Sequence, residues 1–173
     1  QHGLWGKRLF YEESAQIPMI LCGTAAQQQQ IGCDRVDPRL VGWQDVMPTL
    51  LTMAGLTVPD TVEGYPMLGE QRRSFLYGEM GESQTATRMM HDGRHKLIYY
   101  PVGNRSQLFD LETDPRELTD VADDPSYADP LGELQSKLVD QMYGGDLEWI
   151  DDGRLVGSQD LSWSPSPNRG LTG

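Results

Sequence analysis

From Ser74 onward the hydrophobic pattern alternates with a period of two, and turn residues interrupt it at short intervals. Phe75–Glu79, Thr87–His91, Lys96–Tyr100 and Gln107–Leu111 each read as a short strand. Asp92-Gly93, between the second and third, signals a type I′ hairpin, whose two central positions both need a positive φ. Pro101 to Asn104 form the next turn, and Asp114-Pro115 ends the fourth strand. Sequential strands joined by such tight turns predict an antiparallel sheet. One amphipathic helix should pack on it. Asp129 stands at its cap, Pro130 in its first position, and Leu131, Leu134, Leu138, Met142 and Tyr143 on one face before Gly144-Gly145.

The first half has a different grain. Ile17-Pro18-Met19-Ile20-Leu21-Cys22-Gly23 is a continuous apolar run, which predicts a strand buried on both faces. Gln27 to Gln30 reads as an exposed loop. Asp45 is expected to cap a helix with Pro48 in its first turn, packed through Val46, Met47, Leu50, Leu51 and Ala54 and ended by Gly55. After Asp151 periodicity is lost, and Pro165, Pro167 and Gly170 suggest an extended tail. There is no internal repeat. The chain opens on Gln1 with neither Met nor a leading strand, so it is expected to begin inside a domain of a longer protein.

Composition narrows the function classes. A formal net charge of −12 argues against a nucleic-acid partner, which requires clustered Lys and Arg. No apolar run approaches membrane-spanning length, which predicts a soluble piece without a membrane partner. Cys22 and Cys33 make no disulfide framework and are expected as buried thiols. His2, His91 and His95 supply no metal-ligand spacing near them. The hairpin histidines and the Tyr99-Tyr100 pair read as packing or stacking groups.

Chemistry concentrates at the start, in His2-Gly3-Leu4-Trp5-Gly6-Lys7 followed by Tyr11-Glu12-Glu13-Ser14. Gly3 and Gly6 allow a close backbone approach, and a lysine ammonium can grip a sulfate or phosphate oxygen and stabilise charge on a leaving group. Lys7 is the candidate catalytic and substrate-binding residue, against the alternative of a surface lysine in a glycine-rich loop with Trp5 and Tyr11 packing.

That stretch, together with Ile17-Pro18-Met19-Ile20, resembles the segment of the sulfatase family in which a Gly-Lys precedes a Tyr-Glu and a buried strand. Further blocks agree in order: Asp45-Val46-Met47-Pro48-Thr49-Leu50-Leu51 with Ala54-Gly55, then Val62-Glu63-Gly64. Asp92-Gly93-Arg94 with Lys96 and Tyr99 matches the family's hairpin. Leu108-Phe109-Asp110-Leu111-Glu112 with Asp114-Pro115 and Glu117 matches its final strand. The resemblance spans roughly residues 1–150.

It implies an α/β, alkaline-phosphatase-like fold. Residues 1–70 would end the large α/β domain, 71–150 would form a small four-stranded antiparallel subdomain with its helix, and 151–173 a tail. The implied activity is hydrolysis of a small-molecule sulfate ester by a formylglycine nucleophile and a divalent metal, calcium. The sulfate contact of the family's Gly-Lys motif falls on Lys7, and His2 lies near the site as a second substrate-binding candidate. Formylglycine arises within Cys/Ser-x-Pro-x-Arg, and neither cysteine is followed by that pattern. Pro165-Ser166-Pro167-Asn168-Arg169 has Pro and Arg at the right offsets but a proline where the nucleophile belongs. The metal ligands would fall before Gln1, so none is expected here. The chain is thus expected to be a C-terminal part, inactive alone. Two alternatives stay open: a phosphonate monoester hydrolase or phosphodiesterase of the same superfamily, or a non-catalytic binding module. The sequence assigns neither an oligomeric state nor a compartment.

Overall fold

The computed structural model describes residues 9–160. The chain divides into two compact units, Pro18–Leu76 and the remainder.

The remainder is built on the expected sheet. Strands β1 (Leu76–Met80), β2 (Thr87–His91), β3 (His95–Tyr100) and β4 (Arg105–Asp110) lie in the order β1-β2-β3-β4. β3 runs antiparallel to both neighbours, with Met89 opposite Ile98 and Leu97 opposite Leu108. The β2–β3 turn departs from the type I′ expectation. Only Gly93 has a positive φ, and the Asp92 carboxylate accepts the N–H groups of Arg94 and His95 at 2.7 and 2.6 Å. A side chain able to stand in for a backbone acceptor produces this Asx geometry and removes the need for a second left-handed residue.

Helix α4 (Ala128–Gln141) covers one face of the sheet, touching β2 and β3. Leu134 and Leu138 are buried there with Met90, Leu97, Tyr99 and Leu108. Asp129 sits inside the first turn and not at the cap, and Tyr143 lies beyond the helix end and is exposed. Chain direction is set instead by the preceding turn Pro125–Tyr127, whose Asp124 carboxylate accepts the Ser126 N–H.

The other face carries Lys96, Ile98, Gln107, Phe109 and Met89, which alternation and register place together. The segment from Leu9 through the short helix α1 (Glu12–Ala15) lies across it. Tyr11 meets Phe109 edge-on at 5.8 Å. The Phe10 ring crosses β1 at Gly78, where an added Cβ would stand only 2.8 Å from a ring carbon. Because both faces are covered, Lys96 through Tyr99 is buried without a break. Residues expected as tail also fold, with β5 (Ile150–Asp151) and β6 (Arg154–Leu155) forming a small hairpin. A further bridge joins Val102 to Ser158.

Unit Pro18–Leu76 corrects several expectations. Ile17–Gly23 joins no sheet among the described residues, and Ile20 is 85% exposed. Half-buried Ile17, Met19 and Leu21 alternate with exposed Pro18, Ile20 and Cys22, so the run meets neighbours on one side only. Both cysteines are exposed, Cys22 as part of that outward set. The glutamine stretch is helix α2 (Ala25–Ile31), because Thr24 and Gln27 form a capping box, a signal the composition of the stretch obscures.

Helix α3 (Val46–Met53) forms where predicted, with Gly55 left-handed just beyond it. Its inward residues are Pro48 and Thr49, whereas Leu50 is 59% exposed. Asp45 does not cap it. Its buried carboxylate accepts the N–H groups of Gly42 and Tyr65, each at 2.8 Å, and pairs with Arg73. Thr49 adds a contact by accepting the Met67 N–H at 2.8 Å. The helix thus turns polar groups inward to satisfy loop backbone donors that would otherwise be buried without partners.

Candidate functional site

Lys7 and His2 lie outside the described residues, and so does the Pro165–Arg169 segment. The described part of the same motif, Phe10-Tyr11-Glu12, docks on the sheet through an ionic cluster. Lys96, on β3, is 1% exposed. Its ammonium donates to the Phe10 carbonyl at 3.0 Å and pairs with the Glu12 carboxylate. It also lies 2.9 Å from Glu117 Oε1, an oxygen that takes no directed hydrogen bond among the described residues. Glu117 Oε2 accepts the backbone N–H of Glu12 at 2.6 Å. Tyr11 completes the contact, its hydroxyl donating to Gln107 Oε1 at 2.8 Å.

Sequence reasoning named Lys96 only as the start of a strand and, with Glu117, as a member of matching blocks. A signal was present nonetheless: a lysine heads the apolar run Leu97-Ile98-Tyr99, and a charge there requires a partner. The partners are 84 residues upstream and 21 downstream, beyond the reach of any local pattern.

Two other matching blocks also converge. Arg94 of the hairpin donates twice to Asp110 of β4, at 3.1 and 2.7 Å. That guanidinium, with the Glu112 N–H, holds the Asp110 carboxyl well below the usual carboxylate range. The hairpin histidines do not converge on a common site. His95 Nδ1 sits 3.1 Å from Asp92 and its ring meets Tyr127 edge-on, while His91 Nδ1 lies 3.0 Å from the His95 carbonyl. Tyr99 and Tyr100 are packing residues, their hydroxyls donating to Asn104 and Gln107. Burial raises Tyr99 to about 12.

Burial pushes His91 below its ordinary value of 6.5, outweighing the His95 carbonyl. The unfolded chain therefore binds more protons than the folded one below that value. This contribution to stability is present above about pH 6.5 and is lost as pH falls toward the folded-state pKa. Part of the drop in thermal midpoint between pH 7 and pH 5 should disappear in His91→Asn, as measured by circular dichroism melts. A variant whose pH dependence matched the wild type would contradict this assignment.

On the α4 side a groove of about 1030 Å³ opens between Glu79, Arg88, Tyr143, Asp146, Trp149 and Ser158. Its wall is a buried pair in which Arg88 grips Asp146 with two bonds, at 2.5 and 2.8 Å. Trp149 lies against the guanidinium at 5.2 Å. Arg88 and Asp146 are committed to each other, and Arg88 also donates to the Thr87 carbonyl at 2.9 Å, so this pair serves as a structural element of the wall. Among the described residues no three His, Cys, Asp or Glu side chains are arranged to hold a metal. No helix among them is long and apolar enough to cross a membrane.

A meander sheet with a helix on one face and a Tyr-Glu segment pinned to the other is the C-terminal part of an alkaline-phosphatase-like α/β fold. A family model described as N-sulphoglucosamine sulphohydrolase, C-terminal, matches residues 1–143. The chain belongs to the sulfatase family, to its C-terminal region. An arylsulfatase of Clostridium perfringens is 27% identical over 163 residues, covering 90% of this chain and 33% of its own length. A delta 4,5-hexuronate-2-O-sulfatase of Bacteroides thetaiotaomicron is 33% identical over 144 residues, covering 76% of this chain and 29% of its own. The solved structure of a 2-O GAG sulfatase superposes with a TM-score of 0.55 at 26% identity, over 62% of this chain and 26% of that one. The chain thus spans about a third of the length of the curated relatives it matches.

Proposed function

We propose that this chain is the C-terminal part of a sulfuric ester hydrolase that cleaves small sulfate esters, here called the parent protein. Residues 1–70 would end its large α/β domain and 71–150 form its small one. Lys7 would contact the sulfate, and His2 is the second substrate-binding candidate. The nucleophile, a formylglycine, and the divalent ion, calcium, belong to residues outside this chain. That ion would supply Lewis-acid polarisation of the sulfate. The contribution of this chain is electrostatic: a compact ammonium aimed where negative charge builds as the alcohol departs. The observation that carries the reading is the family match over residues 1–143, which takes in the whole Gly6-Lys7 to Tyr11-Glu12 motif. The anchoring of Phe10 and Glu12 supports it, since a lysine in that role needs a held segment.

Sulfate and phosphate esters are both tetrahedral anions, so the assay must separate them. The parent protein should turn over 4-nitrophenyl sulfate faster than bis(4-nitrophenyl) phosphate, and this chain alone should release no nitrophenol from either. Preference for the phosphate diester, or turnover by the chain alone, would overturn the proposal.

A further inference from the structure

We infer that Lys96 and Glu117 are positioning residues, which clamp the peptide of Phe10–Glu12 to the sheet and so fix the segment that carries Lys7. The inference rests on the reading of Lys7 as the sulfate-gripping lysine. Three observations lead to it.

First, the clamp engages backbone and not only side chains. Lys96 takes the carbonyl of Phe10, and Glu117 takes the N–H of Glu12, so the peptide units on either side of Tyr11 are both held. The Tyr11 ring on Phe109 could by itself tolerate sliding or rotation, because apolar contacts are weakly directional. Two hydrogen bonds of opposite polarity leave one register.

Second, the cluster is a poor way to obtain stability. It places an ammonium that is 1% exposed beside a carboxylate of the same burial. Desolvating both largely cancels their attraction, and apolar residues of similar volume would serve as well. What the ions add is direction. Glu117 even adopts a left-handed backbone, φ 53°, held by its N–H on the Asp114 carbonyl at 3.0 Å. That conformation is uncommon for a residue with a Cβ.

Third, Lys7 is three residues upstream of Phe10. A chain of that length reaches at most about 11 Å, so an error in the direction of the clamped peptide passes directly to the lysine.

The test is a double-mutant cycle in the parent protein. Lys96→Met/Glu117→Leu removes both buried charges while keeping volume, and Lys7→Ala is made in both backgrounds. Backbone hydrogen exchange is read alongside turnover of 4-nitrophenyl sulfate. The clamp variant should fold and keep exchange protection at Leu134 and Leu138 of α4. The amides of residues 12–15 should exchange at least about tenfold faster, and kcat should fall roughly 10- to 100-fold, as expected when a reacting group is misplaced by about an ångström. The combination should then be no slower than Lys7→Ala alone, whereas a merely structural role would leave the two effects additive. Full additivity, or a folded clamp variant with kcat within twofold of wild type, overturns the inference. If Lys7→Ala alone leaves turnover intact, the reading of Lys7 fails, and the exchange at residues 12–15 still decides whether the clamp exists. Should the clamp variant not fold, Glu12→Gln enters the same cycle. Its carboxylate is partly exposed, and its loss should reproduce the non-additivity on a smaller scale.

Discussion

Lys7→Ala in the parent protein is expected to lower kcat on a sulfate monoester by about 10²- to 10³-fold, the usual cost of removing one preorganised group aimed at developing charge. KM should move far less, because the ammonium acts mainly on charge that appears as the ester bond breaks. Lys7→Arg keeps the charge but replaces a compact point donor with a broad planar fork, so it should recover only part of the rate. Steady-state kinetics on aryl sulfates with leaving groups of different acidity give the sharpest reading. If Lys7 stabilises the departing oxygen, the defect grows as the leaving alcohol becomes a weaker acid. A defect under about threefold, uniform across the series, would remove Lys7 from the chemistry.

The second large effect concerns stability. Asp146→Ala leaves Arg88 5% exposed and without its carboxylate. Breaking one side of a buried pair costs about 3–5 kcal/mol, and the lower end is expected here. The guanidinium retains the Thr87 carbonyl at 2.9 Å and the face of Trp149, which offset part of the loss. In urea titrations of this chain the midpoint should fall sharply while the slope stays constant. Arg88→Met/Asp146→Leu removes both charges and should lie within about 1.5 kcal/mol of wild type. A double variant as unstable as Asp146→Ala would show that the pair itself, and not an orphaned charge, holds β2 to the turn that follows α4.

What the sequence disclosed follows the range of the interactions involved. The four strands were legible because each turn carries its own chemistry within four or five residues, and Asp92 misled only about the kind of turn. The amphipathic stripe of α4 was legible for the same reason. The family match confirmed what the ordered blocks suggested. Asp45 was misread because a carboxylate before a helix ordinarily caps it, whereas here Tyr65 and Arg73 claim it from 20 and 28 residues away. The lysine cluster was illegible for a stronger version of that reason. Nothing near Lys96 in sequence indicates that its partners are Glu12 and Glu117.

That separation also sets an order of events. Neighbouring strands of the meander close loops of a few residues, while the hydrogen bond from Glu12 to Glu117 spans 105. Short loops close first because they forfeit less chain entropy, so the sheet should form before the N-terminal segment docks on it. On the ribosome the interval is explicit: at roughly 5–20 residues per second, Glu12 emerges several seconds or more before Glu117 exists to receive it. The Phe10–Glu12 segment is among the first parts of this chain to be made and should be among the last to be seated.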